Sequence, residues 1–302
     1  MAHRPTPLGL APRPANDADR GVRGAGFAHE PWFASFPVPA REGHKHERGR
    51  VLVLAGGRHE TGAARLSAAA ALRCGAGLVT LVASRAAADV CAMHCTVVMV
   101  AVARDADEWA ETIHERRATA LALGMGLTPD RATRDMVTTA LASSAAVVLD
   151  AGALTAFAGE PDELFERVGE RDAPTVMTPH AGEFERLFGA VDPCAAAERA
   201  GATVLLKGAT TRVASPDGTV TAIRHGPPWL ATAGTGDVLA GMVAGLLAQG
   251  ARPRDAAMAS VWLHGEAARR LGPGMTAEDL IPALRPVLGE VILARMGLAS
   301  TA

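Results

Sequence analysis

From residue 50 onward, short apolar runs alternate with longer amphipathic segments, and this rhythm limits the possible folds more than any other feature of the chain. The runs lie at 51–54, 78–82, 97–102, 121–123, 147–149, 176–177 and 204–206. They are too short for helices and rich in Val and Leu, as strands buried on both faces are. Segments such as 62–73 and 129–141 between them carry helical spacing. Strand–helix alternation of this kind predicts an α/β fold, a mostly parallel central sheet with helices on both faces. The rhythm breaks after 210. Segments 211–214 and 219–224 flank Ser215-Pro216-Asp217-Gly218, a turn sequence, and predict a β-hairpin near 211–224. Helices are expected near 237–249, 254–271 and 277–295, the first of them Ala- and Leu-rich and so a core helix.

Residues 1–40 are rich in Pro, Gly, Arg and Ala without periodicity, which predicts a mostly disordered extension. Trp32, Phe33 and Phe36 are expected to dock its end onto a single domain over 41–298. Thirty basic residues against thirty-two acidic ones leave no basic excess for nucleic acid. No apolar run reaches the length of a membrane helix, and no secretory signal is evident. The cysteines Cys74, Cys91, Cys95 and Cys194 do not form a disulfide pattern, so a reduced, cytoplasmic setting is expected. Cys91, His94 and Cys95 lack the spacing of a zinc pair and read as packing residues.

The segment ATAGTGDVLAG at 231–241 is the richest in chemistry. Its glycines allow close approach of the backbone to a ligand, and the helix that follows turns free amides and a dipole toward an anion. The loop Gly234, Thr235 and Gly236 therefore suits a phosphate. Asp237 would repel that phosphate unless it accepts a proton from an attacking hydroxyl. Taken alone, the same residues are equally a helix cap.

Other motifs accompany it. Gly56-Gly57, Gly124-Met125-Gly126, Thr178-Pro179-His180 and Lys207-Gly208-Ala209-Thr210-Thr211 each follow an expected strand, where open α/β sheets bind ligands. Tight-turn glycines explain the first two without a ligand, and Thr178 with Glu183 is also compatible with a capping box. Lys207 is one of only two lysines, Lys45 being the other, in a chain that otherwise uses Arg. Its neighbours are a glycine and two hydroxyls, which suits a nucleotide phosphate. Gly43-His44-Lys45 before the first strand reads as a charged loop or as part of the same chemistry.

These motifs together resemble the ADP-dependent NAD(P)H-hydrate dehydratases, a branch of the ribokinase-like superfamily. The resemblance runs from Gly43 to about Ala267. It rests on GHK at 43–45, GRVLVLAGG at 49–57, GAGLV at 75–79, TPHAGEF at 178–184, LLKGATT at 205–211, the loop and helix at 231–250, and LHGEAA at 263–268. It implies removal of water from the S epimer of NADH hydrate or NADPH hydrate, with ADP converted to AMP and phosphate. Asp237 is then the catalytic base. Ala63, Gly126, His180 and Asp237 fall where the family contacts the hydrate; Lys207, Gly208, Ala209, Thr210, Thr211 and Gly236 fall where it contacts the nucleotide.

The resemblance further implies Mg2+ with the phosphates (ligands unidentified), a separate NAD(P)H-hydrate epimerase as partner, and a homotetramer. Residues 1–40 are too short for a fused epimerase, so the dehydratase alone is expected. Gly152 replaces a commonly acidic position, and Pro227, Pro228 and Trp229 replace a commonly Asn-bearing stretch. The alternative reading is a ribokinase-like kinase acting on a hydroxymethyl group of a vitamin precursor or sugar. It needs the same Gly-Thr-Gly-Asp loop, and the GHK, TPH and KGA segments favour the dehydratase.

Overall fold

The computed structural model describes residues 26–40 and 42–298; of the disordered extension expected over 1–40, residues 1–25 lie outside them. The described residues fall into two units, divided between Glu30 and Pro31. In the first, the described residues make one turn, closed by the Glu30 N–H on the Phe27 carbonyl.

The second unit carries the fold. Its first half is β1 (Arg50–Leu54), α1 (Thr61–Arg73), β2 (Leu78–Ala83), α2 (Arg85–His94), β3 (Met99–Val102), α3 (Ala106–Glu115), β4 (Ala120–Leu123), α4 (Arg131–Leu141) and β5 (Ala146–Leu149). There follow α5 (Ala151–Thr155), α6 (Pro161–Gly169), β6 (Thr175–Met177), α7 (Ala181–Phe188), α8 (Pro193–Ala200), β7 (Thr203–Leu206), β8 (Thr211–Ala214) and β9 (Val220–Ile223). The chain closes with α9 (Thr235–Ala248), α10 (Pro253–Leu271) and α11 (Ala277–Arg295). The strands form one sheet in the order β3-β2-β1-β4-β5-β6-β7-β8-β9. β1 to β7 are parallel, and β8 and β9 add the expected hairpin antiparallel.

Both faces of the sheet are covered. Leu52, Leu54, Leu121 and Leu123 turn toward a core shared with Trp109, Phe157, Phe184 and Phe188 of the helices from α3 to α7 and their connections. Val51 and Val53, alternating with them, are equally buried on the other face. There α9 lies on β4 and β5 and packs against α1. Every residue of α9 from Val238 to Ala248 is buried, which is why that helix is apolar all round.

The 97–102 run is shorter than expected as a strand. Val97 is exposed and β3 begins at Met99, because β3 is an edge strand with only β2 to pair with. Trp32 is fully buried, its ring 5.9 Å from that of Trp262 on α10, and the Ser35 hydroxyl donates to Asp255 at 2.6 Å. This stretch therefore docks on the domain as expected. Cys91 is a packing residue, whereas His94 is exposed.

Candidate active site

Seven parallel strands place all their carboxyl ends along one edge of the sheet, and the loops leaving them converge there. At the centre is the start of α9. Gly234 precedes it with φ +88°, and a Cβ there would lie 2.8 Å from Leu66 Cδ1 and 2.9 Å from Ala277 Cβ. Only glycine fits both the angle and the space. No side chain caps the helix, so its first-turn amides remain free to bind an anion. Thr235 is not the cap that the sequence allowed. It is the first helical residue, and its hydroxyl is shared between the carbonyls of Leu230 and Thr232, which folds the loop back on itself.

Asp237 sits in that first turn. Burial pushes its carboxyl up to about 6, the negative charges of Asp150 and Glu183 push the same way, and Lys207 opposes them. A base that titrates near neutrality is what proton abstraction from a hydroxyl requires. Lys207 reaches the same point from the end of β7, its Nζ 3.3 Å from where a Cβ on Gly236 would be. The ammonium is 2.7 Å from Asp150 Oδ1, at the end of β5. Its backbone N–H donates to the Pro179 carbonyl at 2.8 Å, and a parallel bridge joins Lys207 to His180. The loops after β5, β6 and β7 are thereby tied to the start of α9.

His180 does two things. It is the N-cap of α7: Nδ1 accepts from the Gly182 and Glu183 amides, and Glu183 returns a bond to the His180 N–H. The capping box expected around Thr178 is thus built on His180; Thr178 is buried instead, its hydroxyl toward the Leu149 carbonyl. With Nδ1 accepting, the proton sits on Nε2, 3.2 Å from Glu183 Oε1 on a ring still 54% exposed.

Gly208, Ala209 and Thr210 turn the chain from β7 into the hairpin at Thr211, with Thr211 Oγ1 donating to the Gly208 carbonyl and Arg224 Nε donating to Thr210. Across the edge, Gly126 abuts the Glu60 carbonyl just ahead of α1, 2.4 Å from where its Cβ would be, and Ala63 in the first turn of α1 is half-exposed.

One expected member lies elsewhere. The Lys45 carbonyl packs at Gly77, ahead of β2, so Gly43-His44-Lys45 lies at the amino ends of the strands, opposite Asp237. Gly152 has a steric reason: a Cβ there would lie 2.1 Å from the Leu127 carbonyl, which leaves no room for a carboxylate. The Pro-rich stretch forms a 3-10 turn at Pro228–Leu230. Its Trp229 indole donates to the Ala268 carbonyl at 2.8 Å, so α10 mounts the loop from below.

Three residues beyond the expected set face the site. Asp150 and Glu183 contribute charge at Asp237, and His264 lies buried against the Thr235 backbone, held neutral because burial lowers its pKa to about 4. Asp150 was legible by the strand-end rule that marked the other loops; His264, in mid-helix, was marked only by the LHGEAA motif at 263–268. Among the described residues no group of three or more His, Cys, Asp or Glu comes together as a metal cage.

The sequence pattern of the NAD(P)H-hydrate dehydratase family matches residues 51–285. The bifunctional NAD(P)H-hydrate repair enzyme Nnr of Moorella thermoacetica is 41% identical over 279 residues, covering 83% of this chain and 52% of that protein. The chain thus spans about half the length of the first curated relatives it matches. The ADP-dependent (S)-NAD(P)H-hydrate dehydratase of Xanthomonas campestris is 34% identical over 278 residues, covering 83% of this chain and 92% of its own. Among solved structures, the ADP/ATP-dependent NAD(P)H-hydrate dehydratase of Bacillus subtilis, co-crystallised with ATP/Mg2+, superposes with a TM-score of 0.73. It is 28% identical over 86% of this chain and 96% of its own. The arrangement is ribokinase-like.

Proposed function

Because this chain belongs to the NAD(P)H-hydrate dehydratase family, we propose that it restores NADH or NADPH from the S epimer of the hydrate, using ADP as phosphoryl donor. Hydroxide is a poor leaving group, and phosphate is a good one. Asp237 takes the proton from the hydrate hydroxyl, and that oxygen attacks the terminal phosphorus of ADP, releasing AMP. The resulting phosphate ester then breaks at carbon: phosphate leaves with the oxygen of the added water, the neighbouring ring carbon gives up its proton to solvent, and the electron pair of that C–H bond restores the ring double bond. The amides of Gly234 to Gly236 and the Lys207 ammonium hold charge developing on the transferred group.

The observation that carries this reading is Asp237 itself, a carboxyl raised to about 6 in the first turn of an uncapped helix, beside Lys207. Ala63, Gly126 and His180 would receive the hydrate; Lys207 to Thr211 with Gly236 would receive the nucleotide. Magnesium is the expected companion of the phosphates, but among the described residues the acidic side chains do not form a cage for it. A separate epimerase belongs to the same proposal, supported by relatives named as bifunctional. A homotetramer and a cytoplasmic location are carried with it on the family resemblance.

The test is recovery of the near-ultraviolet absorbance of reduced nicotinamide from S-epimer hydrate, with magnesium and ADP, ATP or no nucleotide in parallel. Recovery with stoichiometric AMP supports the reading; none with any nucleotide, from protein that binds ADP, transfers it to the hydroxyl kinase. Lys207→Ala should raise the apparent nucleotide constant at least tenfold while changing kcat less. A selective loss of kcat at unchanged nucleotide affinity would reassign Lys207 to the chemical step.

A further inference from the structure

The geometry points to a further positioning residue, Asp150, whose carboxylate holds the Lys207 ammonium at the start of α9 and so fixes where phosphate and Asp237 meet. This rests on the reading of Lys207 as phosphate anchor and Asp237 as base.

Asp150 is 1% exposed, and a carboxylate taken so completely from water has to be paired. Its Oδ1 accepts from the Ala151 amide at 2.9 Å and from Lys207 Nζ at 2.7 Å. The backbone that presents it is strained. Ala151 has φ +42°, in the left-handed region that residues with a Cβ avoid.

The surroundings enforce that turn. A Cβ on Gly124 would lie 1.7 Å from the Asp150 carbonyl, and one on Gly152 would lie 2.1 Å from the Leu127 carbonyl. Strain of this kind persists where packing over-determines it, and it gathers at functional sites. Here the kink, locked between the loops after β4 and β5, turns a carboxylate along the sheet edge to β7, two strands away.

Lys207 is consequently held at both ends, its backbone on Pro179 in the loop after β6 and its ammonium on Asp150. A lysine left free would spread over many rotamers and lose that freedom on binding phosphate. Asp150 removes the loss in advance and leaves the ammonium beside Gly236. Around Asp237 the charged groups are Asp150 from the end of β5, Lys207 from the end of β7 and Glu183 from α7; His264 of α10 faces Lys207 as a neutral ring.

The experiment uses the fact that the chain has only two lysines. Protein labelled with 15N at the lysine ammonium gives two signals, and Lys45→Arg identifies the one from Lys207. The Lys207 signal should be sharp and protected from water exchange at least tenfold over Lys45. Asp150→Asn and Asp150→Ser, both able to cap α5, should abolish that protection and raise the apparent ADP constant at least tenfold. In Lys207→Ala the further change Asp150→Asn should add less than twofold, since its partner is already gone. Thermal unfolding confirms that each variant is folded.

A wild-type Lys207 signal exchanging like Lys45 overturns the proposal without any variant. Protection that survives Asp150→Asn or Asp150→Ser, or additive effects on the ADP constant, overturns it as well. Absence of hydrate turnover in the wild type would remove the proposed reaction while the lysine spectra still judge the positioning role.

Discussion

Asp237→Asn is expected to lower kcat by about a thousandfold, within the range a positioned general base supplies, while ADP still binds. The amide keeps the shape of the carboxylate and cannot take the proton. The wild-type kcat/KM should rise with pH through about 6 and level off above it, because the base must be ionised and burial holds its pKa there. The same substitution should stabilise the fold at neutral pH. Asp237 is raised in the folded chain from an ordinary 3.8 to about 6, so the folded state binds its proton more tightly than the unfolded chain does. Stability is therefore lost as pH climbs from about 4 to about 6, and Asn escapes that loss. The gain at pH 7 is on the order of 2 kcal/mol after discounting for partial solvent exposure, and it vanishes near pH 4. Urea unfolding of both proteins at the two pH values reads it directly. Full activity in the Asn variant would remove Asp237 as the base. Equal stability at both pH values would mean that its carboxyl is not raised.

Gly241→Ala is expected to cost about 3 kcal/mol or more, the upper part of the range for overpacking a core. A Cβ at this position in α9 would lie 2.0 Å from the Ser67 carbonyl oxygen of α1, and one turn further along a Cβ on Gly245 would lie 2.5 Å from the Ala71 carbonyl. Neither neighbour is a side chain that can rotate away, so α1 and α9 must separate or bend. Because α9 also carries the loop and Asp237 at its start, activity should fall along with stability. The measurement is the urea midpoint at unchanged m. Gly289→Ala serves as the control: it lies inside α11 with nothing within 4 Å of the added methyl. Helix propensity then predicts a gain of about 0.5–1 kcal/mol. A midpoint for Gly241→Ala close to wild type would show that the two helices are not in such close contact.

Much of the architecture could be read from local patterns because burial on both faces makes a parallel strand uniformly apolar. The runs at 51–54, 121–123 and 147–149 are such strands, and each became one. β3 was overestimated for the same reason in reverse: Val97 has the composition of a strand, but an edge position offers only one partner. His180 shows a different ambiguity. A histidine after a strand can meet a ligand or cap a helix, and both roles are open to it because Nδ1 is used by the cap while the ring stays half exposed.

Chain order alone determined that β1 to β7 would run parallel and that their outgoing loops would share an edge, because each strand from β1 to β6 is followed by a helix that must return over a face. It also determined the glycine loop before an apolar helix, since those residues act within a few positions of one another. Pairings across the edge were decided only by the tertiary structure. Lys207 and Asp150 are 57 residues apart, and nothing local to either foretells a 2.7 Å contact. Gly43-His44-Lys45 was likewise sent to the opposite end, because a segment that enters a parallel strand meets the sheet where strands begin, while the reactive groups gather where they finish.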